Sequence, residues 1–229
     1  MKRPLPILAV LLLLASPAAA QDFDAGAEAY LRGDYEAALD QFQRLAEQGD
    51  LEAQDRLGFM YLVGRGVPQD YEQAARWYHA AAVQGLANAQ YHLGLMYEEG
   101  IGRAQDYQQA MRWYRRAAEQ GDVSSKVNLG FMHEKGHGVP QDHAKAMYWY
   151  GKAADQGNAL AQYNVGVMYY MGHGVPQDYV RAHKFFNLAA AQGNTEAAEY
   201  RYLAAERMTP DQIAEAQRLA REWMEERRE

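Results

Sequence analysis

The stretch LGFMYLVGRGVPQD, residues 57–70, belongs to a set of four copies spaced at one fixed interval. The other copies are LGLMYEEGIGRAQD at 93–106, LGFMHEKGHGVPQD at 129–142 and VGVMYYMGHGVPQD at 165–178. Each copy begins 36 residues after the previous one, with no insertion or deletion. Self-similarity at a fixed period of about 20–50 residues is the signature of a repeat array. We therefore predict four full repeats, at 49–84, 85–120, 121–156 and 157–192.

Each repeat contains two helical patterns separated by a turn. In the first repeat, Ala53, Leu57 and Tyr61 recur at the spacing of one helix face. Gly64 is expected to end this helix, and Asp70 is placed to cap the second helix by accepting its free N–H groups. The second helix is predicted to bury one large ring per repeat, at Trp77, Trp113, Trp149 and Phe185.

The array has an extra unit at each end. Residues 21–48 contain a degenerate first unit, and 193–229 contain two further helical patterns. The run from Thr209 to Gln212 has the pattern of a capping box with proline at the first helical position. The last helix is expected to cover the open end of the array. The predicted fold is all-α: an α-solenoid, a right-handed superhelix of stacked antiparallel helix pairs with a C-terminal capping helix.

Residues 1–20 have the pattern of a secretory signal peptide. Lys2 and Arg3 precede an apolar run at 5–15, and small residues at 18–20 form a cleavage site. The apolar run is too short to span a bilayer. We therefore expect an exported protein, periplasmic or secreted, with no membrane span after the signal is cleaved.

Composition limits the partners of the mature chain. Loss of Lys2 and Arg3 reduces 23 basic side chains to 21 against 30 acidic ones, a formal charge of −9. An acidic chain without a basic run is a poor partner for nucleic acid. The chain also has no cysteine, so its stability must come from packing.

The segment His133–His137 spells His-Glu-x-x-His, the motif of zinc peptidases, which need both histidines on one continuous helix. In the repeat register Gly136 is the helix-ending glycine, so His137 is expected in the turn. His173 occupies the same turn position one repeat later. A surface metal clip between His137 and His173 stays open as an alternative.

The paired glycines of each turn precede a helix, as in phosphate-binding loops. A negative charge already occupies each of those helix starts, so we interpret the glycines as structural. The aspartates are Asp70, Asp106, Asp142 and Asp178. The only serines after the signal, Ser124 and Ser125, lie in no nucleophile motif. We predict no catalytic residue, cofactor or metal.

A row of apolar positions on the first helices is the remaining candidate site. Its members lie nearly opposite the buried face and are Phe59, Leu95, Phe131 and Val167. A helix that is apolar all round is normally buried, so the row either packs between repeats or lines the inner groove of the superhelix. The groove interpretation adds six neighbouring residues: Asp55, Tyr91, His92, Asn128, Tyr163 and Asn164. Aromatic rings beside amides favour a peptide partner.

The repeat pattern, Ala-x-x-x-Leu-Gly-x-x-Tyr-x-x-Gly-x-Gly-Val-x-x-Asp-x-x-x-Ala-x-x-Trp-Tyr-x-x-Ala-Ala-x-x-Gly, resembles the Sel1-like repeat (SLR), a relative of the tetratricopeptide repeat. Residues 49–192 carry the resemblance, and 21–48 more loosely resemble a tetratricopeptide unit. Departures include Arg103-Ala104 for Val-Pro, His133 for Tyr and Phe185-Phe186 for Trp-Tyr.

The resemblance implies a scaffold or adaptor, often tied in exported bacterial members to signalling, envelope assembly or host interaction. Cysteine-rich members have been linked to β-lactam binding or hydrolysis, and this chain lacks those cysteines. We predict a non-catalytic scaffold that binds a protein or peptide in the cell envelope or secreted space. The alternatives are an envelope hydrolase acting on β-lactam or cell-wall amides, and a purely structural spacer.

Overall fold

The computed structural model describes residues 17–227, with side chains from residue 22 onward. Most of the predicted signal peptide at 1–20 lies outside the described residues. The described residues form twelve α-helices and no strands. The helices are α1 (Pro17–Leu31), α2 (Tyr35–Glu47), α3 (Leu51–Val63), α4 (Tyr71–Val83), α5 (Ala87–Glu99), α6 (Tyr107–Glu119), α7 (Val123–Lys135), α8 (His143–Asp155), α9 (Ala159–Met171), α10 (Tyr179–Ala191), α11 (Thr195–Ala205) and α12 (Pro210–Glu225).

Consecutive helices pack as hairpins, and each hairpin packs on the next. The helix-ending glycines and the capping aspartates occupy the predicted positions. Gly64 ends α3 in the left-handed conformation, at φ 71°, and Asp70 Oδ1 accepts hydrogen bonds from the first amides of α4 at 2.9 and 3.0 Å. The same glycine and aspartate positions recur in the other three repeats. The all-α solenoid prediction is confirmed.

The ring that fills each hairpin lies one residue after the predicted tryptophan position. These rings are essentially inaccessible to solvent and belong to Tyr78, Tyr114, Tyr150 and Phe186. Each ring lies against a mid-helix glycine of the first helix; a Cβ on Gly58 would stand 2.9 Å from the Tyr78 ring. The tryptophan position instead packs toward the preceding hairpin, as Trp113 does with the Tyr78 cluster. One residue along a helix turns the side chain by about 100°, which separates the two roles.

The second glycine of each turn brings consecutive repeats into main-chain contact. Gly102, at φ 67°, lies on the first residue of α4, and a Cβ there would stand 2.5 Å from the Tyr71 carbonyl carbon. The equivalent pairs are Gly66 with Tyr35, Gly138 with Tyr107 and Gly174 with His143. A side chain at these positions would push two repeats apart.

Buried polar side chains also join neighbouring units. Gln90 Nε2 donates to the Ala82 carbonyl of the preceding helix at 3.0 Å, and its Oε1 accepts from Gln120 at 2.8 Å. Gln54 and Gln162 occupy the same place in the first and fourth repeats. These bonds satisfy amides and carbonyls that the stacking of repeats removes from water.

The C-terminal helix α12 covers α10. It begins at the predicted capping box of Thr209 and Gln212 and buries Ala216 and Ala220. Two residues after the helix, the Arg227 guanidinium donates to the Asp155 carbonyl of the third repeat at 2.6 Å. The predicted capping helix therefore packs against the last full repeat, and the residues after it reach the repeat before.

Candidate binding surface on the first helices

The predicted apolar row combines packing with exposure. Phe59, Leu95 and Val167 are half-buried and pack against clusters formed by the second helix of their own hairpin and the first helix of the next. Phe131 is 39% exposed, with the Lys135 ammonium 5.7 Å from its ring centre. Three members of the row thus pack partly between repeats, and the fourth keeps much of its ring at the surface, so the row has features of both interpretations.

Two clefts open beside this row, near its two ends. One has a volume of about 230 Å³ and is lined by Ala27, Tyr30, Leu31, Phe42, Arg56, Phe59 and Met60. The other has a volume of about 180 Å³ and is lined by Glu134, His143, Tyr163, Asn164, Val167, Met168 and His173. Both are smaller than the roughly 300–1,000 Å³ of sites that hold a whole small molecule. Their size suits single side chains of a larger partner.

The middle of the row is flanked by half-buried rings. Tyr91 lies 5.3 Å from His92 and 6.1 Å from Tyr114, between ring centres. His92 stacks on Tyr78 at 4.9 Å. Burial lowers the pKa of His92, so its imidazole is neutral at neutral pH. Asn128, also half-buried, supplies an amide one repeat farther along.

The far end of the row has a similar aromatic flank. Tyr163 is half-buried, with its ring centre 5.7 Å from that of Tyr200 in a perpendicular arrangement. Asn164, the next residue, lines the smaller cleft beside Tyr163. The predicted residues of the fourth repeat, Tyr163, Asn164 and Val167, therefore line one cleft.

Asp55 is the exception among the predicted groove residues, because it lies beneath the surface at 4% exposure. Its position faces the next hairpin, where Asn88 Nδ2 donates to Oδ2 at 2.8 Å, while Oδ1 has no hydrogen-bond partner among the described residues. Asp55 therefore offers no surface to a partner.

Burial of Asp55 makes stability depend on pH. Burial raises the pKa of this carboxyl, and the bond from Asn88 opposes the rise only in part. The folded state then holds the proton more tightly than the unfolded state, so stability decreases as pH rises from the ordinary pKa through the raised one. We expect Asp55→Asn to raise the free energy of unfolding by about 1 kcal/mol at neutral pH.

The gain from Asp55→Asn should shrink at about pH 4, because the raised pKa of the native carboxyl lets it hold its proton there. Urea titrations at both pH values measure this, with the exposed Asp24→Asn as the control. An equal gain at both pH values would contradict a raised pKa for the buried Asp55 carboxyl.

The His-Glu-x-x-His segment does not form a zinc-peptidase helix. Gly136 ends α7 at φ 77°, and His137 lies in the turn with its ring stacked on Tyr107 at 4.7 Å. His173 stacks instead on His143, at 4.8 Å. The two turn histidines of the metal-clip alternative thus lie against different rings. Between residues 17 and 227, no group of three or more His, Cys, Asp or Glu side chains is arranged to hold a metal ion.

Among the described helices, none has the length and apolar character needed to cross a membrane.

The fold defines a class of protein, the helical-repeat proteins. Within that class, the sequence model of the Sel1 repeat family matches residues 51–86, 87–122, 123–158 and 159–194, which is more than half of the chain. This chain belongs to the Sel1 repeat family. Among curated proteins, none matches the chain.

Solved structures agree with this assignment. Similar to this chain is Escherichia coli c5321, described as a protective antigen present in uropathogenic strains and displaying an SLR fold, at 34% identity and TM-score 0.80. The match covers 89% of this chain and 46% of c5321, so the chain spans less than half the length of that protein. A Sel1 repeat protein from Oxalobacter formigenes is 35% identical, with TM-score 0.73, over 77% of this chain and 72% of the other.

Proposed function

We propose that this protein is a non-catalytic scaffold that binds an extended peptide segment along the first helices. The observation that carries the proposal is the row itself, which keeps one partly exposed apolar side chain per repeat at Phe59, Leu95, Phe131 and Val167. Membership of the Sel1 repeat family supports it, because repeat arrays bind partners on extended surfaces.

The row and its clefts suggest what the partner looks like. An extended chain that runs along the row would meet one apolar side chain in each repeat. The two small clefts beside the row would each take one apolar side chain, a contact mode in which a few anchors supply most of the affinity.

Polar replacement of the row tests this function. We expect Phe59→Ser and Phe131→Ser each to weaken binding of peptides selected from a random library on the native protein by about tenfold. The melting temperature should change little for Phe131→Ser, whose ring is already exposed. Val83→Ser, an exposed apolar position on a second helix, is the matched control.

Fluorescence polarisation gives the affinities, and circular dichroism gives the melting curves. Unchanged affinity in a folded Phe131→Ser protein would rule out the row as the binding surface. The same result would leave packing between repeats as its role.

We also infer that the protein is exported and acts in the periplasm or outside the cell. The inference rests on the basic start, apolar run and small-residue site within residues 1–20. Cell fractionation of the full chain beside a chain lacking 1–20 tests it. Equal cytoplasmic retention of both would contradict export.

A further inference from the structure

The third repeat departs from the other three at several buried positions, and two of them lie near Trp149. Lys126 replaces the buried glutamine, and its ammonium donates to the Gly121 carbonyl at 3.0 Å and to Gln156. His133 replaces the tyrosine found at position 61, 97 or 169 of the other repeats. Both changes flank Trp149, because Lys126 and His133 line separate cavities that share Tyr148 and Trp149.

The exchange of tyrosine for histidine leaves space beside Trp149. In the fourth repeat, Tyr169 stacks on Phe185 with ring centres 6.1 Å apart and planes inclined by 13°. In the third repeat the smaller imidazole accompanies a cavity of about 550 Å³. Its lining residues are Arg115, His133, Val139, Pro140, Gln141, Asp142, Lys145, Tyr148 and Trp149. This volume is in the range of sites that hold a whole small molecule or a peptide end.

Positive charge prevails in this cavity, although the whole chain carries a formal charge of −7. Lys145 pairs with Asp142, the only carboxylate of the lining, at 3.0 Å. Arg115 forms no ion pair with any described residue, and an adjoining cavity that shares Arg115 adds Arg112. A guanidinium presents a planar fork of donors that matches a carboxylate.

His133 supplies a second polar group to the same cavity. The side chain is 4% exposed, and its Nδ1 has no hydrogen-bond partner among the described residues. Burial, and then the charge of Lys145, lowers the pKa of His133, so the ring is neutral at neutral pH. Because Nδ1 is closed to solvent, a ligand in the cavity would meet the other edge of the imidazole ring.

The wall of the cavity is aromatic. The rings of Tyr148 and Trp149 meet nearly at right angles, at 78°, with centres 5.1 Å apart. Tyr148 is 56% exposed, so this wall is open to solvent. Such a wall accepts an aromatic ring edge-to-face or stacked.

We propose that this cavity binds a ligand that presents one carboxylate beside an aromatic ring. The carboxylate would lie between Arg115 and His133, and the ring would pack against Trp149 and Pro140. A peptide ending in phenylalanine and a free arylalkanoate both have this chemistry. The site lies between α6, α8 and the turn before α8, with His133 contributed by α7, and it shares no residue with the row proposed above, so a failure of either leaves the other standing.

A dye-labelled Ala-Ala-Phe tripeptide with a free carboxyl terminus is the probe, and the same tripeptide amidated at its carboxyl terminus is its neutral counterpart. On the full chain we expect the amide to bind at least about tenfold more weakly, because it cannot form the charged hydrogen bonds. His133→Tyr restores the ring that the other repeats carry and should fill the cavity. Binding of the tripeptide should then weaken about tenfold while the protein stays folded. Arg115→Gln should also weaken binding of the tripeptide by about tenfold. The Arg116 side chain lies over Trp113 outside the cavity, so the Arg116→Gln protein should bind the tripeptide as the native protein does.

Competition identifies the source of the carboxylate. Displacement of the tripeptide by 3-phenylpropionate supports the site and shows that a free arylalkanoate is sufficient. Binding of the tripeptide that 3-phenylpropionate does not displace supports the site and shows that a peptide end is required. Equal binding of acid and amide, full binding by His133→Tyr, or displacement by inorganic phosphate as effective as by 3-phenylpropionate would each overturn the proposal.

Discussion

Replacing Gly102 by alanine is expected to lower the free energy of unfolding by about 3 kcal/mol or more. Two costs add at this position. The left-handed backbone costs an L-residue about 1–2 kcal/mol. The new Cβ would also overlap the Tyr71 carbonyl group of the preceding repeat, and forced overpacking costs about 1–3 kcal/mol. Because the obstructing atoms are main chain, no rotamer change relieves the overlap.

The matched control for Gly102→Ala is Gly121→Ala. Gly121 also has a positive φ, 103°, but a Cβ there would meet nothing within 4 Å. The free energy of unfolding of this variant should therefore fall only by the cost of the left-handed backbone, about 1–2 kcal/mol. Urea unfolding followed by circular dichroism measures both. Equal losses would mean that the contact between turn and helix does not hold neighbouring repeats together.

Tyr114→Ala should lower the free energy of unfolding by about 3–5 kcal/mol, the range for removing a fully buried ring. The Tyr114 ring is fully buried on Gly94, and its hydroxyl donates to Glu98 Oε2 at 2.6 Å. Truncation removes the ring contacts and also leaves the Glu98 carboxylate without this donor. Repacking is limited because the ring lies between two helices of one rigid hairpin.

An exposed ring provides the control for Tyr114→Ala. Tyr148 is 56% exposed on α8, and its replacement by alanine should change stability by only about 0.5 kcal/mol. Thermal melting of both variants measures the contrast. A loss at Tyr114 no greater than that at Tyr148 would show that the hairpin core depends on other side chains.

The repeat architecture could be predicted from sequence because its signals are local. Gly64 and Asp70 determine where helices end and begin through their own backbone conformation and hydrogen bonds, and both act as predicted. The prediction that Trp77 fills the space inside its hairpin was wrong, because Tyr78 fills it. Both residues lie on the same broad helix face, so helical spacing alone does not distinguish them. A signal was present in Gly58. Glycine inside a helix costs about 1 kcal/mol, so its recurrence in every first helix indicates a group packed against it.

The candidate surface was predictable only in part. Helical spacing in the first helices identified Phe59 and Phe131, but the exposed fraction of each depends on how the neighbouring units pack. Asp55 is buried because Asn88, far along the chain, covers it. The sequence showed His133 in place of the tyrosine of the other repeats. It did not show the cavity beside Trp149, because that cavity also depends on Arg115, which the fold brings in from the preceding repeat.

The glycine contacts between repeats have an evolutionary consequence. Each of these glycines meets backbone atoms and, in most cases, the Cβ at the start of a second helix, whether the residue there is Tyr35, Tyr71, Tyr107 or His143. This contact does not depend on the rest of that side chain. Whole units can then be duplicated, lost or exchanged by recombination without new junctions having to evolve. A lineage could lengthen the protein, or transplant a specialised unit such as the third, in single genetic events.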